Sequence, residues 1–197
     1  MDDGQSTLNA RVGRHAAFRP NTSPSGPVGI HVTAAAPTRS LNDAWAVLRA
    51  VPDPEVPVLS VVELGIIRRV AHEDGALVVD VTPTYSGCPA IEAININILA
   101  ALQEAGFAKA RVNSVLSPAW STDDISAAGR EKLLAYGIAP PNGSASNASL
   151  LGDDRPRACP QCGSTDTALL SQFGSTACKA LYQCQDCREP FDYFKCH

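Results

Sequence analysis

The chain has 197 residues, of which 45% are hydrophobic and 18% are charged, and its formal net charge is −4. This composition is typical of a soluble protein with one ordinary core and a small additional module, and no stretch approaches the ~20 apolar residues that a membrane-spanning helix needs. The negative balance and the lack of a Lys/Arg cluster argue against nucleic-acid binding, because contact with phosphates needs concentrated positive charge.

Residues 1–40 are rich in Ser, Pro, Gly, Thr and Ala and show no sustained hydrophobic periodicity. A segment of this kind buries too little apolar surface to offset its ordering entropy, so we predict a disordered extension. It has no charged start followed by an apolar run, so we predict no signal peptide and expect a cytoplasmic location.

Residues 41–140 alternate between helix and strand patterns, which predicts a small α+β sandwich with helices covering one sheet. Apolar spacing and β-branched runs predict helices over residues 41–51, 89–105 and 122–136, and strands over residues 64–71, 76–81 and 111–116. Residues 72–75 predict a hairpin turn between the first two strands, and Pro89 is expected at the first position of the second helix.

Two carboxylates, Asp53 and Glu55, follow the first predicted helix and flank Pro54, whose ring fixes φ. Paired acids in such a loop can bind a cation or orient a base. The three residues alone favour a plainer interpretation, a capped turn with solvated charges.

Cys88 lies between the second predicted strand and the second predicted helix, beside the N-terminus of that helix. Unpaired N–H groups and the positive end of the helix dipole would stabilise a thiolate there and lower its pKa. Gly87 would permit the close approach of a metal or of a partner's backbone. The alternative is a small buried cysteine.

Residues 141–156 are rich in Pro, Gly, Ser and Asn and predict a flexible linker. The C-terminal module that follows, over residues 157–197, has few large apolar side chains. A module of this size needs a metal or disulfides to fold. Because no signal peptide is predicted, we expect reduced thiols that bind metal.

Two Cys-x-x-Cys pairs, Cys159 with Cys162 and Cys184 with Cys187, are separated by 21 residues. Two such knuckles supply the four soft ligands of a closed tetrahedral site, so the sequence predicts a zinc ribbon.

Two further cysteines, Cys178 and Cys196, and the C-terminal His197 fall outside this pattern. Their thiols could fill the thin core of the ribbon, or they could form a labile second site for iron or copper. The sequence leaves both interpretations open.

The motifs of the α+β segment resemble those of the SufT-like metal–sulfur cluster biosynthesis domain: DPEVP (53–57), SVVELG (60–65) and TYSGCP (84–89). A longer match, from residue 41 to the end of the chain, resembles the PaaD family of accessory proteins of phenylacetyl-CoA epoxidase. It includes SPAWSTD (117–123), GR (129–130), GIAPP (137–141), FGSTACKA (173–180), CQDC (184–187) and EPFDYFKCH (189–197).

The PaaD resemblance implies a role in aerobic phenylacetate catabolism. There a multicomponent di-iron oxygenase makes a ring epoxide on phenylacetyl-CoA and is supplied by a reductase with a flavin and a [2Fe–2S] cluster. The PaaD-type component is not the oxygenase core, so the resemblance implies a non-catalytic accessory protein that assembles or inserts the reductase cluster or the di-iron site. The implied partners are the reductase and oxygenase subunits or iron–sulfur scaffold proteins, with no nucleic acid and no membrane.

The expected cofactors are structural Zn²⁺, which the cysteine spacing predicts, and a transient iron–sulfur cluster, which the resemblance implies. Cys88, Asp53 and Glu55 are the candidates for metal or cluster transfer. One alternative is a thiol-dependent redox enzyme that uses Cys88, but no motif places a base near this cysteine, and His72 falls in a predicted turn. A zinc-ribbon nucleic-acid-binding protein is the other alternative, and the charge pattern opposes it.

Overall fold

The computed structural model describes residues 39–141 and 157–195. Residues 1–38 of the predicted extension (1–40) and residues 142–156 of the predicted linker (141–156) lie outside the described residues, as do the last two residues, Cys196 and His197. Ser40 caps the first helix, so the predicted extension is too long at this end. No helix in the described part of the chain is long and apolar enough to cross a membrane.

The N-terminal half of the described chain folds as an α+β sandwich. Its elements are α1 (Leu41–Leu48), β1 (Ile67–Glu73), β2 (Ala76–Val81), α2 (Ile91–Glu104), β3 (Arg111–Ser114), a 3-10 turn (Thr122–Asp124), α3 (Ala127–Ala135) and β4 (Ile138–Ala139). Strands β1 and β2 are antiparallel, β2 and β3 are parallel, and α1 and α2 pack on this three-stranded sheet. The predicted fold class and element order are confirmed.

Local chemistry explains where these elements begin and turn. Ser40 and Asp43 form a capping box that starts α1. The β1–β2 hairpin turns at Asp74 and Gly75, whose φ angles are 47° and 73°, the left-handed values that a two-residue hairpin turn requires. The turn is therefore shorter than predicted, and the first two residues of the predicted turn belong to β1.

All three predicted helices have different boundaries in the structure, and α1 ends at Leu48 rather than at residue 51. The predicted helix over residues 122–136 is broken at Ile125, which is extended, and Ser126 caps the new helix α3 through the backbone N–H of Gly129 at 3.0 Å. Helix α2 begins at Ile91, so Pro89 precedes the helix, and the prediction that it takes the first helical position is wrong.

The C-terminal module is built on β5 (Thr167–Ser171), β6 (Lys179–Cys184) and β7 (Pro190–Phe194). These strands pair antiparallel in sequence order, and β4 pairs with β7 in parallel, which gives the sheet order β4-β7-β6-β5. The ribbon sheet therefore contains a strand that comes before the predicted linker.

The ribbon also contributes to the main hydrophobic core. The described residues, 39–141 and 157–195, belong to one compact unit. Phe194 and Cys178, which are 1% and 4% exposed, lie in the same core cluster as the buried side chains of α1, α2 and β2. The ring of Phe194 lies 6.2 Å from that of Trp120. The domain boundaries near residues 140 and 157 stay a prediction, but the chain on either side shares a sheet and a core.

Candidate functional site

The four cysteines of the two Cys-x-x-Cys pairs converge beside the turn between β6 and β7. The sulfurs of Cys159 and Cys187 are 3.7 Å apart, those of Cys162 and Cys184 are 3.5 Å apart, and all four lie within 4.8 Å of one another. Sulfurs bonded at about 2.3 Å to a tetrahedral zinc are about 3.8 Å from one another, so these residues fit a zinc ion. The structure gathers the four predicted ligands at one point.

The turns that carry these cysteines direct backbone N–H groups at the sulfurs. A hydrogen bond from the backbone of Cys187, and then one with the side chain of Cys162, lower the pKa of Cys184 to about 7. The pKa of Cys187 is raised, because burial and the neighbouring thiols outweigh a backbone hydrogen bond from Glu189. A lowered pKa favours the thiolate, the form that binds metal. Gly163, the residue after the first cysteine pair, has a φ of 77°, a left-handed conformation that glycine adopts at no steric cost.

A second group of side chains lines a small pocket between the α+β core and the ribbon. The three predicted metal-transfer residues, Cys88, Asp53 and Glu55, all lie on its wall, and Cys178 joins them from the ribbon. The pocket has a volume of about 10 Å³, which is room for about one water molecule. The rest of its lining consists of Thr84 and of apolar side chains: Val56, Leu64, Ile66, Pro83, Ile91, Ile94 and Phe194.

Asp53 holds the turn that presents Glu55 to this pocket. The Asp53 carboxylate accepts hydrogen bonds from the backbone N–H groups of Glu55, at 2.9 Å, and Val56, at 2.7 Å. Burial raises the pKa of Asp53, and the two amide hydrogen bonds oppose that rise. This is the capped turn that the sequence favoured, although it is buried. A role for Asp53 in metal transfer stays a prediction.

Cys88 lies in the turn before α2, three residues ahead of the first helical residue. Burial raises the pKa of its thiol; a hydrogen bond from the Ala90 amide opposes this, and the nearby Glu55 carboxylate adds to it. The predicted lowering of the Cys88 pKa is therefore wrong. The prediction assumed a solvated helix terminus, whereas the thiol is half-buried and faces a carboxylate.

Cys178, just before β6, is the functional candidate that the sequence left unplaced. Its sulfur donates to the Glu55 carboxylate at 3.6 Å and lies 3.0 Å from the Thr176 hydroxyl. Burial raises the pKa of this thiol to about 11. The available signal was its position inside the FGSTACKA motif of the PaaD resemblance. Cys196, the other unassigned thiol, lies outside the described residues.

The turn at residues 60–65 forms part of the pocket wall and is held in place by contacts with the segment before α3. The indole N–H of Trp120 donates to the Leu64 carbonyl at 2.9 Å. Gly65 has a φ of 77°, and a Cβ atom at this position would lie 2.1 Å from the Asp124 carbonyl oxygen, so the turn needs glycine. Gly65 and Trp120, which lie in the SVVELG and SPAWSTD motifs, thus fix the position of Leu64 in the pocket wall.

An open groove of about 610 Å³ lies on the other side of Glu55. Tyr136 and Phe173, which are 62% and 66% exposed, stand on its walls. Within residues 39–141 and 157–195, neither Cys88 nor Cys178 lines this groove. Glu55 therefore lines both the groove and the small pocket, whereas the two thiols line the small pocket and not the groove.

Comparisons with known proteins match both halves of the chain. A family model described as "Iron-sulfur cluster assembly protein" matches residues 41–114, and one described as "PaaD zinc beta ribbon domain" matches residues 143–195. A relative from Escherichia coli (strain K12), named as one of the subunits of a "Putative 1,2-phenylacetyl-CoA epoxidase", is 49% identical over 156 residues, which cover 79% of this chain and 93% of that protein. The chain belongs to the PaaD family. The resemblance seen in its motifs is confirmed.

Solved structures are similar to part of this PaaD-family chain. A domain of unknown function from Bacillus anthracis is 32% identical, covers 47% of this chain and 89% of its own, and has a TM-score of 0.43. A conserved hypothetical protein from Thermotoga maritima is 26% identical, covers 48% of this chain and 94% of its own, and has a TM-score of 0.42.

Proposed function

We propose that this protein is an accessory protein of a phenylacetyl-CoA epoxidase system in aerobic phenylacetate degradation. It assembles or inserts the iron–sulfur cluster, or the di-iron site, of the epoxidase components. The cargo is iron or an iron–sulfur cluster, and Cys88 receives it, assisted by Glu55 and positioned by the Asp53 turn. Its partners are the reductase and oxygenase subunits or an iron–sulfur scaffold protein.

The observation that carries this proposal is the chemistry of the pocket shared by the two halves. Two thiols, those of Cys88 and Cys178, and two carboxylates, those of Asp53 and Glu55, line one small cavity. Thiolates and carboxylates together suit iron, and the match to an iron–sulfur cluster assembly family over residues 41–114 supports this cargo. The relationship to the Escherichia coli epoxidase component supports the choice of client.

The size of the pocket argues against turnover of an organic substrate at the thiols. Sites for small organic molecules typically enclose about 300–1,000 Å³. The pocket that contains Cys88 has a volume of about 10 Å³. The larger groove beyond Glu55 does not give access to either thiol among the described residues. We therefore propose that the protein itself is non-catalytic and handles metal.

The alternative of a thiol redox enzyme receives no support from the pocket. Burial raises the pKa of Cys88, whereas an attacking cysteine needs a thiolate near neutral pH. No histidine or lysine lines the pocket in the part of the chain that the structure describes. His72 lies on β1, where its ring is 3.2 Å from the carbonyl oxygen of Arg39.

The proposal is tested by co-expressing the epoxidase components with the Cys88→Ser variant. The readouts are the [2Fe–2S] absorbance of the purified reductase, the iron content of the oxygenase, and epoxidation activity. We expect at least one metal centre to be nearly empty, because serine keeps the size of the side chain but not its soft ligand.

Ser86→Ala is the matched control, because Ser86 is exposed in the same turn. Thermal denaturation of both variants checks that the fold is retained. Full occupancy of both client metal centres beside a folded Cys88→Ser protein would contradict the proposal and return Cys88 to a packing role.

A further inference from the structure

We propose that Cys178 and Glu55 form, together with Cys88, a binding site for a single thiophilic divalent cation, so that the ribbon supplies one ligand and the α+β half supplies two. The choice of iron(II) as the physiological ion rests on the proposed function. The ligands of the site come from both sides of the shared pocket.

Cys178 and Glu55 already stand at the separation of two ligands on one metal ion. The sulfur of Cys178 is 3.6 Å from a carboxylate oxygen of Glu55. A tetrahedral ion with a sulfur at about 2.3 Å and an oxygen at about 2.1 Å places those two atoms about 3.6 Å apart. The two residues are 123 positions apart in sequence. Cys178 and Glu55 therefore come together only because the ribbon packs against the α+β sandwich.

The surroundings of this pair favour a cation. Asp53 brings a second carboxylate to the same wall, and no basic side chain lines the pocket among the residues that the structure describes. Lys179, the residue after Cys178, pairs with Asp192 at 3.6 Å, and its positive charge also acts to lower the pKa values of Asp53 and Cys178, so it offsets part of the negative charge of the pocket. A bound divalent cation would offset the negative charge gathered in a space from which water is largely excluded.

Cys88 is the third ligand, and it must move to complete the site. Within residues 39–141 and 157–195, the ribbon cysteines are the one group of three or more His, Cys, Asp or Glu side chains that is already placed to hold a metal ion. Cys88 is therefore not yet gathered with the other two, although it lines the same cavity. A change of its χ1 rotamer moves the sulfur within this cavity.

The site is tested with cobalt(II), which reports thiolate ligands through ultraviolet charge-transfer absorption. The probe is added anaerobically, with a thiol-free reductant, to full-length protein that already carries one equivalent of zinc. We expect one equivalent of cobalt(II) to bind with charge-transfer absorption from two thiolates. Absorption at the cobalt K-edge should show two sulfur ligands together with nitrogen or oxygen ligands. Four sulfurs would mean that cobalt had replaced the ribbon zinc, and this would overturn the proposal.

Three variants assign the ligands, and Ser86→Ala, an exposed change in the turn that carries Cys88, is the control. Cys178→Ser and Cys88→Ser should each weaken cobalt binding at least about tenfold and halve the charge-transfer intensity of each bound ion. Glu55→Gln should weaken binding but leave that intensity unchanged, because both thiolates remain. The X-ray absorption of the unaltered protein supplies the ligand count if a variant fails to fold.

The outcomes separate this site from the proposed function. If Cys178→Ser binds cobalt with unchanged affinity and intensity, the ribbon thiol is not a ligand, and the site as proposed is wrong even if Cys88→Ser still abolishes maturation of the client. If both thiols bind cobalt but neither variant changes the metal content of the epoxidase components, the site stands and the maturation role falls.

Discussion

Replacing Phe194 by alanine should destabilise both halves of the molecule together. Phe194 ends β7, is 1% exposed, and packs in the main core with its ring 6.2 Å from that of Trp120. Removing a fully buried phenylalanine ring costs about 3–5 kcal/mol, because apolar burial is lost and a cavity remains. At about 3 °C per kcal/mol for a chain of this size, a loss of about 4 kcal/mol lowers Tm by about 12 °C.

Phe173→Ala is the matched control, because it removes the same ring from the surface of the same module. Phe173 is 66% exposed, and its ring lies 4.4 Å from the ammonium group of Lys195. An exposed cation–π contact contributes about 0.5–1 kcal/mol. We therefore expect this variant to lose no more than about 1 kcal/mol.

Urea unfolding with two probes measures whether the halves are coupled. Tryptophan fluorescence reports the α+β half, since Trp45 and Trp120 both lie there. Release of zinc to a coloured chelator reports the ribbon. In the Phe194→Ala variant both midpoints should fall together. A fall in the zinc-release midpoint alone would show that the ribbon unfolds independently, and a loss as small as that of Phe173→Ala would refute the packing argument.

Three further predictions follow from single contacts. Gly65→Ala should lower the free energy of unfolding by more than about 2 kcal/mol, because the new Cβ would lie 2.1 Å from the Asp124 carbonyl oxygen. Gly75 also has a positive φ but has open space around it, so Gly75→Ala should cost about 1 kcal/mol. Thermal denaturation compares the two variants. Cys159→Ser should remove the zinc, as metal analysis would show, and also lower the midpoint of tryptophan fluorescence, because the ribbon shares the main core. A hydrogen bond from an arginine on β1 lowers the pKa of Asp80, so Asp80→Asn should lower the urea midpoint at pH 7. The difference between the two proteins should disappear as the pH falls below 3.8 and then through the lowered pKa of Asp80 in the folded state. A difference that persists at that pH would show that the ionised Asp80 does not stabilise the fold.

Local patterns predicted those elements whose signals lie within a few residues of one another. The apolar spacing of Ile94, Ile98 and Leu102 predicted α2, and all three side chains are buried. The spacing of the Cys-x-x-Cys pairs predicted the ribbon cluster in the same way. The break before α3 was missed because a serine cap competes with a helical pattern that looks continuous.

The relative placement of the two halves could not be predicted, because no local pattern encodes it. The contact between Cys178 and Glu55, and the pairing of β4 with β7, join residues from opposite sides of a segment that looked like a spacer. The acidity of Cys88 was mispredicted for a related reason. Burial, which only the folded arrangement determines, outweighs the local effect of a helix terminus.

The ribbon forms one wall of the shared pocket, so the shape of the pocket depends on the folded ribbon. Cys178 and Phe194 belong to the ribbon and line the cavity that contains Cys88. If the ribbon folds only around its metal, a chain whose four-cysteine cluster is empty lacks this wall, and its Cys88 lies beside an open space. The closed pocket would then form only after the ribbon cluster had been loaded.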